Sequence, residues 1–328
     1  MDQLWLWVGF NLFVLAMLAI DLFVLHKDAH EVRVREAAAW SAAWVALAAL
    51  FGAGVHVFMG REAGLAYFTG YVIEKALSVD NIFVFVVIFS AFRVPARYQH
   101  RVLFWGVLGA LIMRGAMIAA GAWLIHQFHW VLYVFGGLLV VTGVRMAMQT
   151  DHGVEVESNL ATRLLRRFLP VTDAYHGQRF FVRESIAGRM RLAATPLFAV
   201  LLLVETTDVI FAVDSIPAIF AITQDPFIVY SSNVFAILGL RALYFLLADV
   251  IHRFHYLKVG LSVVLIFVGV KMLAADVYTV PIGASLAVVM LVLSASVAAS
   301  WLWPRAADGH NPAVSSSPRH SREGVINK

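Results

Sequence analysis

The chain of 328 residues is 61% hydrophobic and only 14% charged, a balance that excludes an ordinary soluble domain and points to a polytopic membrane protein. Its formal net charge of +4 does not mark a nucleic-acid binder, because the basic residues lie in connecting segments and not on a stripe with interleaved aromatics. Cysteine is absent, which rules out disulfides and thiolate-held zinc, copper or iron-sulfur centres within the chain.

The first apolar stretch, LWLWVGFNLFVLAMLAIDLFVL, lacks a basic leader, is too long for a signal peptide's core and carries Asp21, so it reads as a spanning helix. Nine apolar segments are long enough to cross roughly 30 Å of hydrocarbon, near residues 3–25, 36–58, 65–91, 101–125, 130–149, 194–222, 229–251, 257–275 and 281–303. Trp5, Trp7, Trp40, Trp123, Trp130, Trp301 and Trp303 fall near their ends, as interfacial aromatics do. The expected fold is all-α: one transmembrane transporter domain over residues 1–303, followed by a polar, disordered tail over 304–328.

Basic residues resist translocation, so the connecting loops set the topology. Lys27, Arg33 and Arg35 occupy the first loop, Arg93, Arg97 and Arg101 flank the third, seven arginines fill the fifth, and Arg253 and Lys258 mark the seventh. The even-numbered loops hold Arg61 alone. This places the N-terminus outside and the tail from Pro304 in the cytoplasm, with the chain in a bacterial inner membrane. The fifth loop, 150–193, is the one long connection. Within it SNLATRLLRRFL reads as a helix that either rests on the anionic inner leaflet or is simply solvated.

The third and sixth spans match without gaps, EKALSVDNI (74–82) on DVIFAVDSI (208–216). The fifth and eighth match as GVRM (143–146) on GVKM (269–272), and the span between each pair holds one arginine, Arg114 or Arg241. Spans 3–5 therefore repeat as spans 6–8 with opposite direction through the membrane, an inverted repeat of the kind transporters use.

Burying an ionised carboxylate at bilayer depth costs at least ~2.5 kcal/mol, so Glu74, Asp80, Glu205, Asp208 and Asp214 need protons, buried bases or a passing cation. Lys75, Arg114, Arg241 and Lys271 are the candidate charge-compensating bases, and for Arg114, Arg241, Lys271 and Arg145 neutralisation and packing are favoured over direct ligand handling. On a regular helix, positions six apart lie about 120° around the axis and ~9 Å apart in height, so Glu74 with Asp80, or Asp208 with Asp214, would not chelate together. A helix break would change that, and Pro217 offers one by freeing the carbonyl of Val213. Glu205 and Asp208, three apart, share a face. Asn81 and Ser215 add side-chain oxygens. An all-oxygen set suits hard or borderline divalent cations: manganese, magnesium or calcium. The plain alternative is a permanent polar lattice that locks helices together. Asp21 and Asp249, near helix ends, need only snorkel. His26, His30, His100, His126, His129, His252 and His255 sit at loops or helix ends and are expected at the interface, not as core ligands.

At EKALSVDNIFVF, FLPVTDAYHGQRFFVR, ATPLFAVLLLVETTDVIFAVDSIPAIFAIT, SNVFAILGLRALYFLL and GVKML the chain resembles the TerC family of bacterial membrane proteins, closest to its Alx branch, over residues 3–303. The resemblance implies a tellurite-resistance name, a redox-modulator label and manganese efflux within a wider LysE-like group. It also carries the family's motif onto Glu74, Asp80, Asn81, Glu205, Asp208, Asp214 and Ser215 as metal-site residues. Tellurite is an anion that five carboxylates would repel, and without cysteine any redox effect is expected to be indirect.

The expectation is therefore a manganese exporter with no covalent cofactor, the ion held near the midplane between broken third and sixth helices, Asp80 and Asp214 as core ligands, and metal exchanged for protons. The rival is a membrane scaffold that recruits membrane-protein partners, linked indirectly to tellurite resistance, redox balance or metal loading of exported proteins. No nucleophile stands beside a base, so no enzyme is expected. Expected partners are the metal ion and lipid, with no nucleic acid.

Overall fold

A long apolar run leaves its backbone groups no water to bond in lipid, so it closes on itself as a helix, and helices dominate here. A computed structural model describes residues 3–20, 34–148, 171–172, 174–186, 189–248 and 255–303. In chain order these form α1 (Gln3–Ile20), α2 (Val34–Met59), α3 (Arg61–Ala91), α4 (Ala96–Gln127), α5 (Val131–Met148), β1 (Phe181–Ile186), β2 (Arg189–Ala194), α6 (Pro196–Phe220), α7 (Pro226–Leu238), α8 (Leu240–Leu247), α9 (His255–Leu273) and α10 (Ile282–Leu302).

Proline and side-chain capping mark several starts. Pro196 and Pro226 open α6 and α7, where a missing N–H costs nothing. At α7 the Asp225 carboxylate accepts from the backbone of Phe227 at 2.9 Å and Ile228 at 3.4 Å.

By length and composition α2, α4, α5, α6, α9 and α10 can cross a membrane, six in all, and α7 with α8, bent by 40°, makes a seventh if counted as one span. The apolar part of α1, Leu4–Ala19, is shorter, and α3 carries Glu74, Lys75 and Asp80 in its middle. Among the described residues the nine expected spans thus reduce to six or seven on these criteria. The SNLATRLLRRFL helix, Asp21, Asp249 and the tail lie outside the described residues.

Two expectations need correction. The third and sixth spans are not broken: α3 runs without interruption, and α6 continues through Pro217 to Phe220. Pro217 stands in the last turn, where the helix ends anyway, so the lost hydrogen bond disrupts little; the Ala221 N–H still closes onto the Pro217 carbonyl at 3.0 Å. The interruption falls instead at Gly239, between α7 and α8. The second correction concerns the long connection, which contains an antiparallel hairpin, β1 paired with β2 from Phe181↔Ala194 to Ile186↔Arg189.

The packing sets α3 against α6 and α7, α4 against α6 and α7, and α5 against α9. The α5–α9 seam is tight because the glycines of the two matched motifs lie on it. A Cβ at Gly143 would come within 2.9 Å of the Ser262 carbonyl oxygen, and one at Gly269 within 2.8 Å of the Gly136 carbonyl oxygen.

Beyond the ends of these two helices, Asp276 accepts from the Tyr133 hydroxyl and faces His129 Nε2 at 3.6 Å. The tyrosine hydrogen bond, with help from His129, holds the Asp276 carboxyl below its ordinary range. A depressed carboxylate stabilises above its unfolded pKa and loses that contribution as pH falls through the folded one. Amide exchange at Val277 and Tyr278, whose N–H groups bond Ala274, should therefore accelerate, after correction for intrinsic rates, only as pH drops below the usual aspartate range. Acceleration near neutrality would assign the turn's stability elsewhere.

Candidate cation site

The site is built on Arg114, whose side chain leaves the middle of α4 and is 2% exposed. Its Nε and Nη2 donate to the two carboxylate oxygens of Asp208 on α6, at 3.0 and 2.9 Å. Its Nη1 donates to Glu74 on α3 and lies 3.4 Å from Ser215 Oγ and 3.5 Å from Asn233 Oδ1. Asn233 Nδ2 donates in turn to the second Glu74 oxygen at 3.2 Å. Four helices, α3, α4, α6 and α7, thus converge on one guanidinium. A planar fork of five N–H donors suits two carboxylates in a way a lysine ammonium does not.

One positive charge meets two formal negatives, so the triad retains one excess negative charge when both acids are ionised. The other expected bases are engaged elsewhere. Lys75 Nζ donates to the Ala236 carbonyl at 3.3 Å and Lys271 Nζ to Ser285 Oγ at 2.9 Å. Arg241 is buried at the start of α8, and Arg145 is an exposed residue of α5.

Beside the triad lies a cavity of about 50 Å³, lined by Asp80 and Asn81 of α3, Arg114, Asp214 and Ser215 of α6, Met146 of α5, and the apolar Leu77, Phe211 and Leu265. That is room for an ion with one or two waters. Asp214 Oδ1 accepts from Thr142 Oγ1 at 2.9 Å. Lys258 of α9 acts electrostatically on Asp80. Asn81 is 1% exposed and its amide nitrogen lies 3.4 Å from Asp208 Oδ1, which fixes the amide's orientation; its Oδ1 is buried with no hydrogen-bond partner. A buried acceptor left unsatisfied costs about 1–3 kcal/mol, so its place on the wall of a carboxylate-lined cavity calls for a reason.

Asp208 borders a second, smaller cavity of about 10 Å³ with Phe85, Gly106 and Val204. Each member of the Arg114–Asp208 pair therefore lines one of two small spaces. Glu205 shares the α4-facing side of α6 with Asp208, as their spacing implies, but its carboxylate lies over Gly109; any Cβ there would collide with it.

The expected metal-site residues thus divide into three groups. Asp80, Asn81, Asp214 and Ser215 meet at one cavity, Glu74 and Asp208 meet at Arg114, and Glu205 sits against Gly109. Among the described residues no three histidine or carboxylate side chains converge closely enough to hold a metal on their own. Thr142, Met146, Asn233 and Lys258 were not anticipated. The polar triplet Ser231, Ser232 and Asn233 inside an otherwise apolar run was the available signal for Asn233; Thr142 precedes the repeated GVRM motif and Met146 ends it, neither distinguishing itself from packing residues.

Apolar spans wrapped around a charged, buried cluster define a multi-pass membrane protein with an intramembrane polar site. The chain belongs to the TerC family: the model of that family, described as integral membrane protein TerC, matches residues 59–308. It is 55% identical over 300 residues to an uncharacterized membrane protein of Myxococcus xanthus, covering 92% of this chain and 93% of that one. It is 51% identical over 297 residues to Alx of Escherichia coli K12, named as a candidate membrane-bound redox modulator, covering 88% and 91%. A membrane protein of Rickettsia bellii is 40% identical over 294 residues, covering 90% and 96%. No solved structure matches the chain significantly.

Proposed function

We propose that this TerC-family protein exports divalent cations, manganese foremost, from the cytoplasm across the bacterial inner membrane. The observation that carries the reading is the unpartnered, buried Asn81 Oδ1 on a cavity wall shared with Asp80 and Asp214. Two carboxylates, an amide oxygen and a hydroxyl make a partial oxygen cage, which water can complete for a manganese, magnesium or calcium ion. Asp80 and Asp214 are the core ligands of this proposal, with Asn81 and Ser215 beside them. Glu74, Asp208 and Glu205 join as the ion moves or take up the protons exchanged for it.

Nine spans, an outside N-terminus and an inverted repeat of spans 3–5 and 6–8 complete the picture. Exchanging the halves turns the α4–α6 contact into the α7–α3 contact and leaves the α3–α6 and α5–α9 contacts unchanged, and all of these pairs pack together. That correspondence supports the repeat.

Met146 adds a thioether to the oxygen set. Soft sulfur favours transition metals over alkaline earths, so Met146→Leu, which keeps the volume, should leave manganese binding nearly intact while weakening cadmium several-fold relative to magnesium. Competition binding checks it; an unchanged cadmium-to-magnesium ratio removes Met146 from the selectivity argument.

One observation favours a second reading. Arg114 pairs with both Glu74 and Asp208 where they lie, as it would in a membrane scaffold that recruits partners and braces its helices with fixed charges. The redox-modulator name of a relative would then describe an indirect effect, since this chain has no thiol to cycle. Flux separates the two. Vesicles containing only this protein should accumulate manganese down a proton gradient, with magnesium and calcium slower, whereas vesicles that move no divalent ion under any gradient would favour the scaffold.

A further inference from the structure

The hairpin in the long connection has no part in the cation site, and its surface is unusual for a loop. Pairing puts Phe181, Arg183, Leu192 and Met190 on one face, since Phe181 faces Ala194, Arg183 faces Leu192, and Met190 precedes Leu192 by two residues along the strand. Phe181, Leu192 and Met190 are 41%, 53% and 68% exposed. Arg179 and Arg183 are exposed alongside them and line, with Phe181, Val182, Leu192, His176 and Glu184, an open concavity of about 760 Å³. Glu184 is the one acid among these residues and stands opposite Arg191 in the strand register, so arginines outnumber carboxylates there.

The root of the hairpin is fixed to the membrane-spanning body. Thr195 alone separates β2 from α6; its hydroxyl donates to the Arg179 carbonyl at 2.8 Å and its N–H to the Phe180 carbonyl at 2.9 Å. Phe181 packs on Phe198 of α6 with ring centroids 4.5 Å apart, and the Arg101 guanidinium of α4 lies 5.2 Å from the Phe180 ring centroid. At ~3.3 Å per strand residue, Leu192 is at most ~13 Å of chain from the start of the span at Pro196. Exposed apolar side chains beside guanidinium groups at that height meet the layer where phosphate and glycerol give way to acyl chain.

We propose that this concavity holds an anionic phospholipid headgroup, its phosphate between Arg179 and Arg183 and its glycerol and upper acyl carbons against Phe181 and Leu192. The hairpin thereby lies on the membrane surface, and the cost of exposing three large apolar side chains to water disappears. The inference stands apart from the transport reading and survives its failure.

Because the chain has no cysteine, nitroxide labels can be placed singly at Met190→Cys, Leu192→Cys and Arg191→Cys without background. The full chain is reconstituted in bilayers of phosphatidylglycerol or of phosphatidylcholine, and collisions with oxygen and with a water-soluble nickel chelate are compared. Labels at 190 and 192 should favour oxygen in phosphatidylglycerol, the label at 191, on the other face, should stay chelate-accessible, and Arg179→Gln with Arg183→Gln should move 190 and 192 toward the chelate. Native mass spectrometry should show that this double variant retains fewer phosphatidylglycerol molecules. Labels at 190 and 192 as chelate-accessible as 191 in both lipids overturn the proposal, as does displacement of the phosphatidylglycerol effect by inorganic phosphate, which would make the concavity a site for a free anion.

Discussion

Replacing both Asp80 and Asp214 by asparagine abolishes manganese binding on the proposed reading, while the protein still folds and inserts. Neither acid belongs to the Arg114 triad: Asp80 and Asp214 border the small cavity, where Asp214 accepts from Thr142. Asparagine keeps shape and oxygen but removes the charge, and calcium- and magnesium-type sites tune affinity through ligand charge count. The double variant should lose at least ~100-fold in affinity, about 2.7 kcal/mol at ~1.36 kcal/mol per tenfold, with each single variant in between. Titration calorimetry on purified protein reads this directly, and the melting temperature without metal should change little. Wild-type affinity in the double variant would move the ion elsewhere.

Arg114→Met has the opposite signature, with stability as the first casualty. Removing the guanidinium leaves Glu74 and Asp208 buried and uncompensated, at 0% and 4% exposed. Breaking a buried pair by deleting one partner costs about 3–5 kcal/mol, whereas replacing every charged member by neutral groups is often close to neutral. The triple variant Arg114→Met, Glu74→Gln, Asp208→Asn should therefore recover most of the lost thermal stability. If Arg114 holds these carboxylates in place of the transported ion, manganese should raise the melting temperature of Arg114→Met more than that of the wild type, because two more anionic groups become available to it. Equal stabilisation of both proteins would leave Arg114 a brace and nothing more.

The acids themselves were legible because charge is conspicuous in oil: every residue of the Arg114 triad and of the cavity's oxygen set stands out in the sequence as polar within an apolar run. Their grouping was not legible. Which acid meets Arg114 depends on how α3, α4 and α6 rotate and slide against one another, and periodicity alone does not fix that. The spacing argument did hold on regular helices: Asp208 and Asp214, six apart, reach different partners, Arg114 and Thr142, while Glu205 and Asp208 both face α4.

Expecting breaks in α3 and α6 overestimated Pro217, whose effect is small so close to a helix end, and overlooked Gly239, where the chain bends between α7 and α8. The hairpin escaped notice because its alternation mixes arginine with phenylalanine, leucine and methionine on one face, which blurs the apolar-polar period that ordinarily marks a strand at a water boundary. Asn233 announced itself only as part of a polar triplet, and the donor role it plays toward Glu74 depends on how α7 packs against α3.

The account rests on a divalent ion entering the space between Asp80 and Asp214. Anomalous scattering from manganese-soaked crystals of the intact protein, collected at the manganese edge, locates such an ion without assumption. A single strong peak within coordination distance, roughly 2.0–2.3 Å, of carboxylate oxygens of both aspartates, with Asn81 Oδ1 turned toward it, is the predicted result. Saturating manganese that leaves this cavity free of anomalous density, with the Arg114 triad unchanged, would contradict the account.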